Sequence, residues 1–324
     1  MQRTALIWIL ALASLWPAVP LTAFGQAYPN RPVKIVIPFA AGSGSDIVGR
    51  ILADELRKSL KESVLVDNKP GASAQIAAEF VAKAPPDGYT LLLTTNTAHS
   101  ANPFLFKKLN YDPIRDFTPI ARITYTPYVL TVRSDSGIAS IRELVQKGRA
   151  SPGTLNYGYG NSTSQVAGAA FVQRAGIDAA AVPYKSMPPA LTDLIGGRLD
   201  FAFVDLTSVH AHLKSGELKP IAFTLDKRAS QLPDVPTVAE SAGFAGYEVT
   251  SWIGLVGPAG VPRDIVDRLN TEINKILVRP EIRNRLAELG AETAPSSPEE
   301  LGAFIRQQLE SWRMKIAAAG IQPE

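Results

Sequence analysis

VKIVIPFAAGSGSD, Val33 to Asp46, joins an unbroken apolar run to a loop of glycine and serine and then to a stretch that can begin a helix. A strand that passes into a helix through small residues presents backbone N–H groups at the helix N-terminus, and such a terminus attracts anions. Two nucleotide-binding readings fail on spacing. Gly44 and Gly49 stand as far apart as the glycines of a phosphate loop, but Arg50 and Ile51 follow where lysine and a hydroxyl residue are required. After Gly42 and Gly44, the third glycine of a dinucleotide fingerprint falls on Ile47.

The same passage recurs along the chain. Ile47, Ile51, Leu52, Leu56 and Leu60 form one stripe at helical spacing from Asp46 to Leu60, and SVLVDN, a helix near 72–84 and TLLLTT follow. A second alternating set runs through LNYGYG, AAVPY, DFAFVD and PIAFT, with helices between. Strand, helix, strand in sequence predicts parallel sheet covered by helices, built twice. Pro262, Pro280 and Pro298 each mark the start of a C-terminal helix, because proline's fixed φ and missing N–H suit the first turn. Those helices have no sheet of their own and are expected to return to the first unit. The fold class is therefore α/β: two lobes, 28–125 plus 226–324 and 126–225, joined by two hinge crossings near Tyr125 and Leu225, with a ligand cleft between.

Residues 1–27 differ from the rest. Arg3 is their only charge and LIWILALASLW is an apolar core of h-region length, so a cleaved signal peptide ending at Gly25–Ala27 is expected. The run is short of the ~20 residues of a membrane span. The 324 residues include no cysteine, which excludes disulfides, thiolate metal sites and a cysteine nucleophile. The formal charge is +3, and Lys and Arg are scattered, so nucleic acid is not an expected partner. Three histidines, no GxSxG elbow and no paired-carboxylate or metal-ligand motif leave no catalytic residue, metal or cofactor to name.

Five loops lie at the carboxyl ends of expected strands, where open α/β sheets bind ligands: FAAGSGSD, TTNTAH, GNSTS, YKSMPPA and VDLTS. Each alone is explained as a helix N-cap. Two such loops facing one cleft from opposite lobes point to a small anion, and carboxylate fits better than phosphate because Lys185 is the one candidate cation. Tyr157, Tyr159 and Tyr184 offer aromatic surface near the cleft, though core packing explains them equally well.

The stretches YPNRPVKIVIPFAAGSGSDIVGRILADEL, VDNKPGA, APPDGYTLLL, LNYGYGNSTSQVAG, VPYKSMPPALTDLIGGRLDFAFVD and SWIGLVGPAGVP closely resemble the Bug-type extracytoplasmic solute receptors of the tripartite tricarboxylate transporter family. The resemblance spans residues 28–324. It implies a type II periplasmic-binding-protein fold that closes on an organic carboxylate and delivers it to large and small membrane subunits. It implies a monomer in the periplasm. Carried over, one jaw is Phe39, Ala40, Ala41, Gly42, Ser43, Gly44, Ser45 and Asp46. The other is Gly160, Asn161, Ser162, Thr163 and Ser164. Tyr184, Lys185, Ser186 and Asp205 match cleft-lining positions, and Thr95, Asn96, Thr97 and His99 a loop that varies with ligand. Relatives commonly carry glycine at the positions of Ser43 and Ser186. Asp205 has two readings, partner of a cationic ligand group or cap of the following helix. An accessory sensor and a secreted enzyme are the alternative functions. The resemblance leaves the identity of the acid open among aliphatic and aromatic dicarboxylates, citrate-like acids, nicotinate and acidic amino acids.

Overall fold

The computed structural model describes residues 28–324; the expected signal peptide lies outside the described residues. The first half of lobe I comprises β1 (Val33–Ile37), α1 (Gly44–Leu60), β2 (Val64–Asn68), α2 (Gln75–Ala82), β3 (Thr90–Thr95), α3 (Asn102–Leu105) and the long β4 (Phe117–Arg133). Lobe II continues with α4 (Ile141–Ala150), β5 (Leu155–Tyr159), α5 (Ser162–Ala175), β6 (Ala179–Pro183), α6 (Met187–Ile195), β7 (Phe201–Asp205), α7 (Leu206–Ser215), β8 (Leu218–Phe223) and α8 (Val238–Ala242). The chain returns through β9 (Thr250–Pro258), α9 (Arg263–Leu277), α10 (Pro280–Glu288), β10 (Glu292–Thr293) and α11 (Pro298–Ala318).

β1 pairs parallel with β2 and β3, and β5 pairs parallel with β6 and β7. Between these blocks lie two antiparallel strands. β4 pairs with β9 as far as Pro127 and with β7 from Tyr128 onward, so one strand carries the chain from lobe to lobe. The cores are separate: Ile35, Ile37, Ile51 and Leu52 pack with Leu269 and Ile273 in lobe I, and Phe171, Phe201 and Phe203 with Leu130 and Leu155 in lobe II.

Two expectations change. The sequence puts the second crossing near Leu225, yet the following segment stays on lobe II. Phe223 N–H donates to Pro236 O (2.8 Å), Val249 N–H donates to Thr224 O (3.0 Å), and Phe244 and Tyr247 pack on Phe171 and Phe203. We therefore place that crossing at Val249–Thr250. Nor does α11 cover lobe I alone. Leu301 and Ile305 pack with Val36 and Phe39, whereas Trp312 and Ile316 belong to the lobe II core. A helix of 21 residues is about 30 Å long, enough to span both lobes.

The turn before α2 is strained. Ala72, Ser73 and Ala74 have φ of 45°, 47° and 71°, a left-handed region that costs a residue with a side chain roughly 1–2 kcal/mol. Asn102 Nδ2 donates to Ser73 O (2.8 Å) and helps hold it. Ala74→Gly is expected to stabilise the protein by about 1 kcal/mol, read as a higher midpoint in urea unfolding; an unchanged or lower midpoint would show that the turn stores no strain.

Candidate functional site

Four helices begin at one place between the lobes. The N-cap residues of α1, α5, α6 and α7 are Ser43, Asn161, Ser186 and Asp205, and all four line a cavity of about 30 Å³. Phe39, Gly44, Ser45, Thr95 and Thr97 line it from lobe I. The crossing strands β4 and β9 supply Thr126, Tyr128, Ser251 and Ile253, and Met187 completes it. Among the described residues no Lys, Arg or His side chain lines this cavity, and Asp205 is its one ionisable carboxyl. Attraction for an anion must come from helix N-termini and hydroxyl donors.

The caps do not behave alike. Asn161 Oδ1 accepts from Ser164 N–H (2.9 Å), and Ser164 Oγ accepts from the Asn161 N–H (3.3 Å) in return. Asp205 Oδ1 accepts from Ser208 N–H (2.8 Å) and Oδ2 from the Ser208 hydroxyl (2.8 Å). Asp205 thus caps α7, as one of its two readings held. Ser186 makes no cap bond; its Oγ accepts from Ala40 N–H across the cleft (3.2 Å). Burial raises the Asp205 carboxyl, with the Ser208 hydrogen bonds opposing.

The lobes meet in a closed arrangement. Gly44 N–H donates to Ser208 Oγ (2.7 Å), Asn96 Nδ2 to Thr163 Oγ1 (2.7 Å), and the hydroxyls of Thr97 and Ser162 are 2.9 Å apart. Ser251 Oγ donates to Asn96 Oδ1 (2.7 Å), tying that amide to β9. Tyr128 Oη donates to Asn161 Oδ1 (3.1 Å).

Other residues expected at the site support it without lining it. Asp46 receives Gly42 N–H (3.0 Å), Asn68 Nδ2 (2.9 Å) and Arg50 Nε (3.0 Å). Burial alone would raise this carboxyl, but Arg50 and the other donors hold it below its ordinary range. Asp46 therefore braces the loop that carries Ala40, Ala41 and Gly42. Gly160 has no room for a side chain, since a Cβ there would lie 2.2 Å from the carbonyl carbon of Ser186.

His99, Tyr184 and Lys185 lie elsewhere. His99 is buried in lobe I, its Nδ1 2.6 Å from Thr94 Oγ1 and its ring tilted on Phe117; burial pushes it down to about 3, so it is neutral. Tyr184 donates to Asp193 Oδ2 (2.7 Å), and Lys185 is exposed. Both line a separate depression beside Tyr159 and Glu324. Tyr157 is stacked on Phe201 in the lobe II core. The sequence did not single out Thr126, Tyr128, Met187, Ser251 or Ile253. The one trace was polar residues interrupting otherwise apolar strands, as in TYTPYVL and TSWIGL.

A family profile described as "TctC: Tripartite tricarboxylate transporter family receptor" matches residues 48–321. The chain belongs to the tripartite tricarboxylate transporter receptor family. A relative, the UPF0065 protein in the tcbD-tcbE intergenic region of Pseudomonas sp. (strain P51), is 36% identical over 294 residues, covering 90% of this chain and 87% of its own. Solved structures of similar proteins agree. The R. palustris protein Rpa4515 with adipate superimposes with a TM-score of 0.89 at 34% identity, over 92% of this chain and 100% of that one. The periplasmic binding protein BugD gives 0.87 at 35%, over 92% and 100%. MatC from Rhodopseudomonas palustris with bound malate gives 0.84 at 31%, over 89% and 100%. The two-lobed receptor fold and the Bug-type kinship expected from the sequence are those of this chain.

Gly160→Ala is expected to drive the loop before α6 away from α5, lowering stability by roughly 1–3 kcal/mol and abolishing ligand binding, both measurable by thermal unfolding with and without ligand. A variant that keeps wild-type stability and affinity would show that this contact does not set the shape of the cavity.

Proposed function

We propose that this protein is a periplasmic receptor that captures a small organic carboxylate, a dicarboxylate in the first instance, and hands it to the large and small membrane subunits of a tripartite transporter. The observation that carries the reading is the meeting of four helix N-caps around a cavity with no cationic side chain. A carboxylate needs several N–H or O–H donors in one place, and helix starts provide them with favourable dipoles. Adipate in Rpa4515 and malate in MatC, both similar to this chain over nine-tenths or nearly so of its length, support the ligand class. The receptors of this family bind and release, and the site has no nucleophile and base pair to suggest turnover.

The binding set in this reading is Phe39, Ser43, Gly44, Ser45, Thr95, Thr97, Asn161, Ser186 and Asp205, joined by Thr126, Tyr128 and Ser251. The backbone N–H groups at the starts of α1 and α5 take the carboxylate. Ser43 and Ser186 put hydroxyl side chains on the lining and narrow the cavity. Asp205, still able to accept, suits a ligand hydroxyl or ammonium. Export follows from cleavage after Ala27, and the receptor works as a monomer whose closed lobes the membrane subunits recognise.

A thermal-shift panel of organic acids including adipate and malate tests this. An acid at about a hundredfold excess over its Kd is expected to stabilise the protein by roughly 3 kcal/mol, and its diamide not at all. A panel in which no carboxylate raises the midpoint would remove the reading.

Asp205→Asn tests the buried carboxyl separately. Asparagine caps a helix as well as aspartate does. Because the folded-state value of Asp205 is raised, the native state holds that proton more tightly than the unfolded chain. Its contribution is favourable in acid and is lost as pH rises through the raised value. The variant should therefore melt higher than the wild type near neutral pH and converge with it below about pH 4. A variant that melts lower at neutral pH would mean that the charged form is stabilised.

A further inference from the structure

The two crossing strands have a second cavity on their other face. Side chains alternate across a strand, and here they divide between two cavities, with Thr126 at the edge of both. Thr126 and Tyr128 of β4 and Ser251 and Ile253 of β9 line the carboxylate cavity, whereas Tyr125, Pro127, Thr250 and Trp252 line a rear cavity of about 560 Å³. That volume lies within the ~300–1,000 Å³ of small-molecule sites. The rear cavity is closed by α11 through Phe304, Gln308, Ser311 and Lys315, by the lobe II segment from Leu225 to Gln231, and by Glu292.

Its chemistry is divided. One wall is aromatic: Phe304 meets Tyr125 edge-on at 5.8 Å and Trp252 at 5.4 Å. Arg122 stacks on both Tyr125 and Phe304, 4.9 and 4.8 Å from their ring centres. The buried Trp252 Nε1 has no hydrogen-bond partner. Half-buried Lys315 also lines the cavity, while Asp226, Lys227, Glu248 and Glu292 stand exposed around it. None of these five charges makes an ion pair. Lys315 and Glu248 are near enough to influence each other, since burial lowers the lysine and Glu248 opposes that, yet they do not touch.

We propose that this rear cavity binds an aromatic amino acid as its zwitterion. The ring lies against Tyr125, Trp252 and Phe304, the carboxylate faces Lys315, and the ammonium faces Glu248. Exposed Lys227 lies beside Asp226, so Glu248 and Lys315 are the pair left to a ligand. A carboxylate alone would leave Glu248 unopposed, and an amine alone would leave half-buried Lys315 with no anion beside it, only the Trp312 ring 5.8 Å away. The site is also coupled to the front by geometry. Its walls come from both lobes around the hinge, so opening the front cleft narrows the rear one. An occupant therefore favours closed lobes, and binding at the two sites is reciprocal.

The probe is 3-nitro-L-tyrosine, an aromatic zwitterion that quenches indole fluorescence. Of the four tryptophans, Trp252 and Trp312 are the two outside residues 1–27. Titration into the purified protein is expected to give saturable quenching. Lys315→Gln, which removes a charge without removing packing, should weaken it tenfold or more, and Ser311→Phe, which fills the cavity, should do the same. 3-Nitrotyramine, lacking the carboxylate, should bind no more tightly to the wild type than to Lys315→Gln. Quenching that does not saturate at millimolar probe, or that saturates equally in Lys315→Gln, would overturn the proposal. The second outcome would place the probe in the front cavity, whose lining Lys315 does not join.

Discussion

The meeting of four helix N-caps at one cavity, with no cationic side chain among the described residues that line it, is the constraint on which the proposed carboxylate site depends. A carboxylate buried there would lose several kcal/mol of hydration, and among the described residues no Lys or Arg lines the cavity to offset that loss. Each helix N-terminus contributes about 0.3–1 kcal/mol at a surface and up to ~2 kcal/mol where partly buried. One terminus is too weak, but four converging are comparable with the loss. The convergence follows from the topology: parallel strands end on one side of each sheet, and the helix after each strand starts there. Joining two such sheets through β4 and β9 turns their carboxyl ends toward one cleft.

Closure depends on the same loops. The bonds from Ala40 and Gly44 N–H to Ser186 and Ser208, and from Asn96 to Thr163, are neutral hydrogen bonds worth roughly 0.5–1.5 kcal/mol each after their exchange with water. A sum of a few kcal/mol leaves open and closed lobes within reach of each other, so a ligand that prefers the closed state can shift the population. Ser186 shows the trade locally. It gives up capping α6 and instead accepts the Ala40 amide from the other lobe, linking the start of α6 to the contact between lobes.

Much of this was legible in local sequence. VKIVIPFAAGSGSD and NYGYGNSTS announce strand, donor loop and helix, because small and hydroxyl residues at a strand end have few other uses. Ser43, Asn161, Ser186 and Asp205 were all among the residues named, and the structure places them around one cavity. What stayed hidden is non-local. Thr126, Tyr128, Ser251 and Ile253 reach the cavity only because β4 and β9 pair across more than a hundred residues. The second crossing moved from Leu225 to Val249 because Tyr247 packs on Phe203, a contact that periodicity does not reveal. Lys185 and His99 drew notice by chemical type, but exposure in one case and burial in the other take them away from the cavity.

The most direct measurement is a crystal structure of the complex with the acid that stabilises the protein most. Ligand carboxylate oxygens are expected within about 2.7–3.2 Å of backbone N–H groups at the starts of α1 and α5, with Ser43, Asn161, Ser186 and Asp205 around them and Lys185 in solvent. A ligand carboxylate paired with Lys185, or held outside the cavity ringed by the four N-caps, would contradict that arrangement.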